Sequence, residues 1–220
     1  MSSARLRLLL AGLVPVWLSG CAGLETGRPL DTATAPGWER HQSQLAAIRS
    51  WDLQGRLALR TGDEGWQLNL RWRQDRSKHQ IDLSGPFGQG RVQLSQDSTG
   101  AVLRDENQQT YYASDAEQLL YDITGWRVPV DHLVYWVRGM PVPGERRRLR
   151  VDAQGRTRSL AQGRWRIEIL DYRQVGRVQL PSRLFMTYQR VIGDTDAGVT
   201  EVLNQVELRL AISRWSVDGE

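Results

Sequence analysis

Cysteine is nearly absent from this 220-residue chain: Cys21 stands alone, so no internal disulfide can staple the fold. Lysine is as scarce. Lys78 is the only one, and arginine carries almost all the basic charge. No Gly-Lys-Ser or Gly-Lys-Thr occurs, which excludes a phosphate-cradling P-loop. No Gly-x-Ser-x-Gly occurs, which excludes the usual nucleophile elbow. His41, His79 and His132 stand far apart and no second thiol exists, so spacing supports no zinc site. Asp122 and Asp131 flank two expected helices and read as a polar helical face and an N-cap. The chain is therefore expected not to be an enzyme and to need no cofactor, with a metal or acid–base pair assembled only by folding left open. Beyond residue 20 there is no long apolar run. Without Arg5 and Arg7, 27 basic side chains face 25 acidic ones, a net charge of +2. That balance does not suggest a nucleic-acid partner.

What is present starts at the N-terminus. Arg5 and Arg7 precede LLLAGLVPVWL, residues 8–18, an apolar run too short to span a bilayer as a mature helix. Leu18-Ser19-Gly20-Cys21 then resembles a bacterial lipobox, which makes residues 1–20 a lipoprotein signal peptide and Cys21 the acylated first residue. An ordinary signal peptide followed by a chance cysteine is the alternative. Ala22 rather than an aspartate follows Cys21, which favours the outer membrane over inner-membrane retention. Residues 21–37 read as acylated cysteine plus flexible tether. Its 16 residues from Ala22 give an average reach of roughly 20–24 Å. Residues 38–220 are long enough for one domain with a real core.

A short helix fits 38–50, with Leu45 and Ile48 on one face. Strict alternation follows. Leu53, Leu57 and Leu59 oppose Gln54, Arg56 and Arg60; Trp66, Leu68, Leu70 and Trp72 oppose Gln67, Asn69, Arg71 and Arg73. Ile81 and Leu83, then Val92 and Leu94, continue the pattern. Period two with one polar side marks strands buried on one face only. Short strands fit 100–104 and 108–113. Ser114-Asp115-Ala116-Glu117 reads as a capping box for a helix that carries Leu119, Leu120 and Ile123 and stops at Gly125. A second helix fits Asp131 to Arg138, with Leu133 and Trp136 in it. Strands resume at 146–151, 156–161, 164–172, 182–190 and 201–214, where Val206, Leu208, Leu210 and Ile212 alternate with polar residues. About eleven antiparallel strands result, a mainly β (α+β) fold. A sheet this long curls, and two or three short helices are a thin filling. A hollow apolar interior is expected.

Between two of these strands lies SGPFGQG, residues 84–90. Gly85-Pro86-Phe87-Gly88 fits a type I turn, yet Phe87 puts a large apolar side chain at its tip. From the residues alone, Phe87 either points to solvent or folds back onto the sheet.

Lipobox, arginine-studded curled sheet, Pro-Phe-Gly hairpin and central helical pair together resemble the LolB family. DLSGPFGQGRVQL (82–94), YYASDAEQLLYDITG (111–125) and VDHLVYWVRGMPVPG (130–144) carry the resemblance most specifically. It implies an unclosed antiparallel β-barrel with a short helical lid over an apolar, acyl-chain-binding cavity. It further implies a lipid-anchored, periplasm-facing protein of the cell outer membrane. The partners implied are a LolA-like periplasmic carrier, acylated lipoprotein clients and outer-membrane lipids, with a monomeric state expected. Such a receptor accepts mature lipoproteins from the carrier and inserts them into the outer membrane. The hairpin at Pro86, Phe87 and Gly88 takes the place of one that carries an exposed apolar residue, commonly leucine, needed for delivery. Candidate cavity residues are Leu57, Leu59, Trp66, Leu68, Leu70, Trp72, Ile81, Leu83, Leu119, Leu133, Trp136, Trp165, Ile167, Met186, Leu208 and Leu210. The tryptophans among them serve equally as core packing. Arg146, Arg147 and Arg148, with Arg150 nearby, are candidates for contact with an acidic carrier, or simply a solvated strand face. The rival readings are a lipid-anchored module that stores or senses a hydrophobic ligand without inserting anything, and a structural envelope lipoprotein with a filled core.

Overall fold

The computed structural model describes residues 36–125, 128–192 and 201–217. The expected signal peptide and Cys21 lie outside the described residues. Helix α1 spans Pro36–Ala47, so helix replaces tether at Pro36 and Gly37. Six strands follow: β1 (Ser50–Thr61), β2 (Glu64–Asp75), β3 (Lys78–Ser84), β4 (Val92–Asp97), β5 (Gly100–Arg104) and β6 (Thr110–Ala113). Helices α2 (Ala116–Thr124) and α3 (Val130–Trp136) come next. Strands β7 (Arg147–Val151), β8 (Thr157–Gln162), β9 (Trp165–Val175), β10 (Val178–Ile192) and β11 (Glu201–Val217) complete the chain.

All eleven strands form one antiparallel sheet in the order β6-β5-β4-β3-β2-β1-β11-β10-β9-β8-β7. The sheet does not close, and β6 and β7 are its edges. The segment that joins these edges carries α2 and α3. The first and last strands meet at the centre, Leu57 opposite Leu210 and Leu59 opposite Leu208. The register shifts at Gln54/Gly55, where Ser213 is the extra residue. The strands come so close there that a Cβ on Gly55 would stand 2.4 Å from the carbonyl oxygen of Ala211. Only glycine fits.

Alternation decides which face is buried. Leu53, Leu70, Trp72, Ile81, Leu94, Leu184 and Leu208 face the helices and are buried, whereas Arg56, Arg60, Arg71 and Arg73 lie on the opposite face and are exposed. Each large apolar side chain removed from water contributes roughly 1.5–3 kcal/mol, so the helix side holds the core.

The helix ends differ from expectation in two details. Asp115, not Ser114, caps α2: its carboxylate accepts from the Gln118 N–H at 2.8 Å. The carboxylate reaches the N–H three residues on, and Ser114 Oγ instead bonds Asp115. Gly125 ends the helix as expected, in the left-handed conformation. Asp131 lies in the first turn of α3, not at its cap, because the chain already turns helical behind Pro129. Its carboxylate accepts from Gln96 Nε2 at 3.1 Å, which ties α3 to β4.

Candidate functional site

Register places the candidate cavity residues on one face. Leu57 pairs with Leu68, Leu59 with Trp66, Leu70 with Leu83 and Trp72 with Ile81. On the other half, Leu210 lies beside Leu184, Leu208 beside Met186, and Met186 beside Ile167. Leu119 from α2 and Leu133 and Trp136 from α3 close over this face. Most of the set is packed: Leu59, Leu70, Trp72, Ile81, Leu119, Leu133, Trp136, Trp165, Ile167, Met186, Leu208 and Leu210 are all buried. Leu57, Trp66, Leu68 and Leu83 are only half-buried, with Val92 beside Leu83. These five neighbours form one incompletely covered end of the inner face. In the helix-covered state, most of the expected hollow is therefore filled by side chains from α2 and α3.

Trp136 belongs to packing. Its ring lies 5.6 Å from that of Trp165, and its Nε1–H donates to Gln162 Oε1 at 2.9 Å. The same oxygen accepts from the Val142 N–H at 2.8 Å, and Gln162 Nε2 donates to the Val142 carbonyl at 3.0 Å. This buried amide clamps α3 and the chain behind it to β8. Arg138 adds a second tie, donating through Nη1 to the carbonyls of Leu45 and Ile48 and so finishing α1. Burial lowers its pKa. Helix α2 is held at its N-terminus, where the Ala116 N–H donates to Gln96 Oε1 of β4 at 2.7 Å. Its Tyr121 and Ile123 are exposed, and Leu120 is half-buried. One leaf of the lid is clamped by a buried amide, whereas the other is tied to β4 at its first residue and lies against β5 and β6.

The hairpin rises beside the open end. Ser84 pairs with Asn69, so the turn begins level with Leu68. It is rigid: Gly88 N–H donates to the Gly85 carbonyl at 2.9 Å, and Phe87 N–H to Gln89 Oε1 at 3.1 Å. Asn69 Nδ2 holds the Gly85 carbonyl at 3.0 Å. Gly88 takes φ of +84°, which favours glycine. From this turn Phe87 projects outward, 94 % exposed.

Arg146, Arg147, Arg148 and Arg150 are exposed on and beside β7, one lip of the open sheet. At the other end of the inner face, Trp51, Trp72, Gln74 and His79 bring together four buried polar atoms without a protein partner. Burial, opposed by Asp131, lowers the pKa of His79; burial and then Arg156 lower that of His41. Among the described residues no group of His, Cys, Asp and Glu could hold a metal, and no helix is long and apolar enough to cross a membrane. Sequence reasoning missed Gln162 and Arg138. For Arg138 a signal exists, a lone cation closing the apolar run HLVYWVR; for Gln162 there is none, because its partners are distant in sequence. It also missed two depressions on the face away from the helices. Side chains of Arg56, Asn69, Arg183 and Ala211 wall both, and the volumes are about 590 and 870 Å³.

The profile of the family described as "LolB: Outer membrane lipoprotein LolB" matches residues 49–215. The "Outer-membrane lipoprotein LolB" of Pseudomonas aeruginosa strain LESB58 is 38 % identical over 181 residues, 82 % of this chain and 88 % of the relative. The protein of the same name from Pseudomonas syringae pv. syringae is 36 % identical over 168 residues, 76 % of this chain and 82 % of the relative. Among solved structures, a LolA superfamily protein from Nitrosomonas europaea superposes with a TM-score of 0.50 at 11 % identity, covering 84 % of this chain and 96 % of that one. That likeness shows the fold alone. The match runs from the residue before β1 into the last residues of β11, and the chain belongs to the family of the outer-membrane lipoprotein LolB.

Proposed function

We propose that this protein is an outer-membrane lipoprotein receptor that takes acylated lipoproteins from a soluble LolA-like carrier and releases them into the bilayer at the Phe87 hairpin. The observation that carries the reading is the 94 % exposure of Phe87 on a hydrogen-bonded turn beside an incompletely covered end of the inner face. Cys21 is the proposed anchor, and residues 22–35 its tether. Arg146, Arg147 and Arg148, on the lip of the sheet, are the proposed contact with the carrier. The protein acts as a monomer.

Burying an acyl chain contributes about 0.8 kcal/mol per CH₂, so one long chain gains more than about 10 kcal/mol. Exposure of such a chain to water between compartments is prohibitive, and transfer has to run from mouth to mouth. Leu57, Trp66, Leu68 and Leu83 offer the first apolar contact. Further entry displaces α2, whose exposed Tyr121 and Ile123 leave it the less deeply packed leaf, while the Trp136–Gln162 clamp keeps α3 on the sheet. Direction then follows from graded affinity: each compartment holds the chains more tightly than the one before. Phe87 enters the interfacial lipid and brings the mouth to the membrane.

A two-stage assay tests this: labelled lipoprotein passes from carrier to receptor, then from receptor to liposomes. Phe87→Glu should leave the first stage and the melting temperature unchanged, since surface substitutions usually fall within about ±0.5 kcal/mol. The second stage should fail, and Phe87→Leu should restore it. Normal release by Phe87→Glu would reject the hairpin's role, and no transfer to liposomes by the wild type would reduce the protein to a lipid store.

A further inference from the structure

The function leaves unused the face of the sheet away from the helices. Its two depressions are lined by Arg56, Arg71, Arg91, Arg173, Arg183 and Arg209, and by a single acid, Asp82. Burial of Asp82 opposes its ionisation, but hydrogen bonds from Gln93 and Arg91 outweigh this and hold its carboxyl below the usual range. Other acids lie on this face: Glu168 pairs across the strands with Phe185, Asp171 meets Arg183 at 3.2 Å, and Glu207 meets Arg209 at 3.7 Å. Exposed pairs of this kind bind their partners weakly, so these guanidinium groups remain open to a stronger anion. Arg209 also lies over the Phe185 ring at 5.1 Å, and Arg173 donates to the Ser213 carbonyl. Both are thereby spread across the face. Between them lies an apolar floor with Ala58, Ala211 and Leu170, the last 45 % exposed.

The hairpin borders this face too. Pro86 lines the first depression and Gly88 the second. Any surface that receives Phe87 therefore meets the arginines at the same time. Planar guanidinium forks suit phosphate oxygens, and an anionic membrane attracts each nearby basic side chain within about a Debye length. We propose that this arginine-rich face docks on the phosphates of an anionic lipid bilayer, orienting the protein as Phe87 enters. The inference rests on the hairpin's role given above. A bilayer is favoured over an acidic protein because the apolar hairpin adjoins this face, and because docking here leaves the helices free for the carrier.

The test uses the acylated mature protein, held by its own anchor in vesicles of phosphatidylcholine, or of phosphatidylcholine with about a third of phosphatidylglycerol. Arginines are modified with phenylglyoxal and the sites are read by mass spectrometry. Arg56, Arg71, Arg183 and Arg209 should react at least about fivefold more slowly on the anionic vesicles, with Arg146 and Arg148 alike on both. The protection should vanish near 1 M salt, where the Debye length is about 3 Å. Equal labelling on both vesicles overturns the proposal. So does the same protection from inorganic phosphate on neutral vesicles, which would mark a free-anion site. Protection that needs the carrier and not the anionic lipid assigns the face to a protein and overturns it too. Release of a labelled lipoprotein is followed in the same samples. Normal Phe87-dependent release with unprotected arginines sinks this inference alone, and protected arginines with release insensitive to Phe87→Glu sinks only the hairpin's role.

Discussion

Replacing Gln162 by leucine removes the clamp on α3 with little change of volume. Gln162 is 2 % exposed and makes three hydrogen bonds, from Trp136 Nε1 and the Val142 N–H and to the Val142 carbonyl. The substitution strands the fully buried indole N–H outright. The Val142 groups are half-buried and regain water in part. An unmatched buried polar group costs about 1–3 kcal/mol, which puts the total near 2–4 kcal/mol. For a domain of this size 1 kcal/mol moves the melting temperature by about 2–4 °C. A fall of roughly 5–15 °C is expected in a thermal melt followed by circular dichroism. The near-ultraviolet signal of the Trp136–Trp165 pair should weaken along with it, since α3 sets that geometry. Trp136→Phe removes the donor instead, and the double variant should lose less than the sum by about 0.5–3 kcal/mol. A melt of Gln162→Leu within about 1 °C of wild type would refute the idea that this amide pins α3.

Other expectations follow from burial and close approach. Leu70→Glu places a charge without a partner on the packed face and should destabilise by about 3–5 kcal/mol, whereas Gln67→Glu, facing outward on the same strand, should stay within about 0.5 kcal/mol; equal melting curves would undo the assignment of faces. Gly55→Ala drives a Cβ against the Ala211 carbonyl at 2.4 Å and the Ile212 Cα at 3.0 Å, and a loss of at least about 1–3 kcal/mol is expected in chemical denaturation. Burial depresses the folded-state pKa of His41 and His79 below 6.5. Their contribution is thus complete above the unfolded pKa and is lost as pH falls through the folded values. Melting temperatures measured between about pH 7 and pH 5 should decline, and a flat profile would show that neither imidazole is held neutral.

The sheet is legible from period-two alternation because one of its faces is wet. Trp66, Leu68, Leu70 and Trp72 could only share a face, and in the structure they do. The helical pair is legible from its change of period. Its ends are read less well: a serine and an aspartate in sequence offer two caps, and only local backbone geometry selects Asp115. The expected void follows from counting helices against strands, but two short helices rich in Leu, Val and Trp fill more of that space than their length suggests. The Gln162 clamp and the alignment of arginines across five strands are long-range facts. No local pattern contains them, since Arg56, Arg91, Arg183 and Arg209 become neighbours only through the strand order.

That order also governs how the chain can fold. Strands β1 to β6 pair as consecutive neighbours, and so do β7 to β11, so each half can form from local hairpins. One seam, β1 against β11, joins them across nearly the whole domain, and contacts so distant in sequence are slow to form. Until it forms, Leu53, Leu57 and Leu59 lie on an unpaired strand edge, a template for the wrong partner. The first strand made must wait for the last.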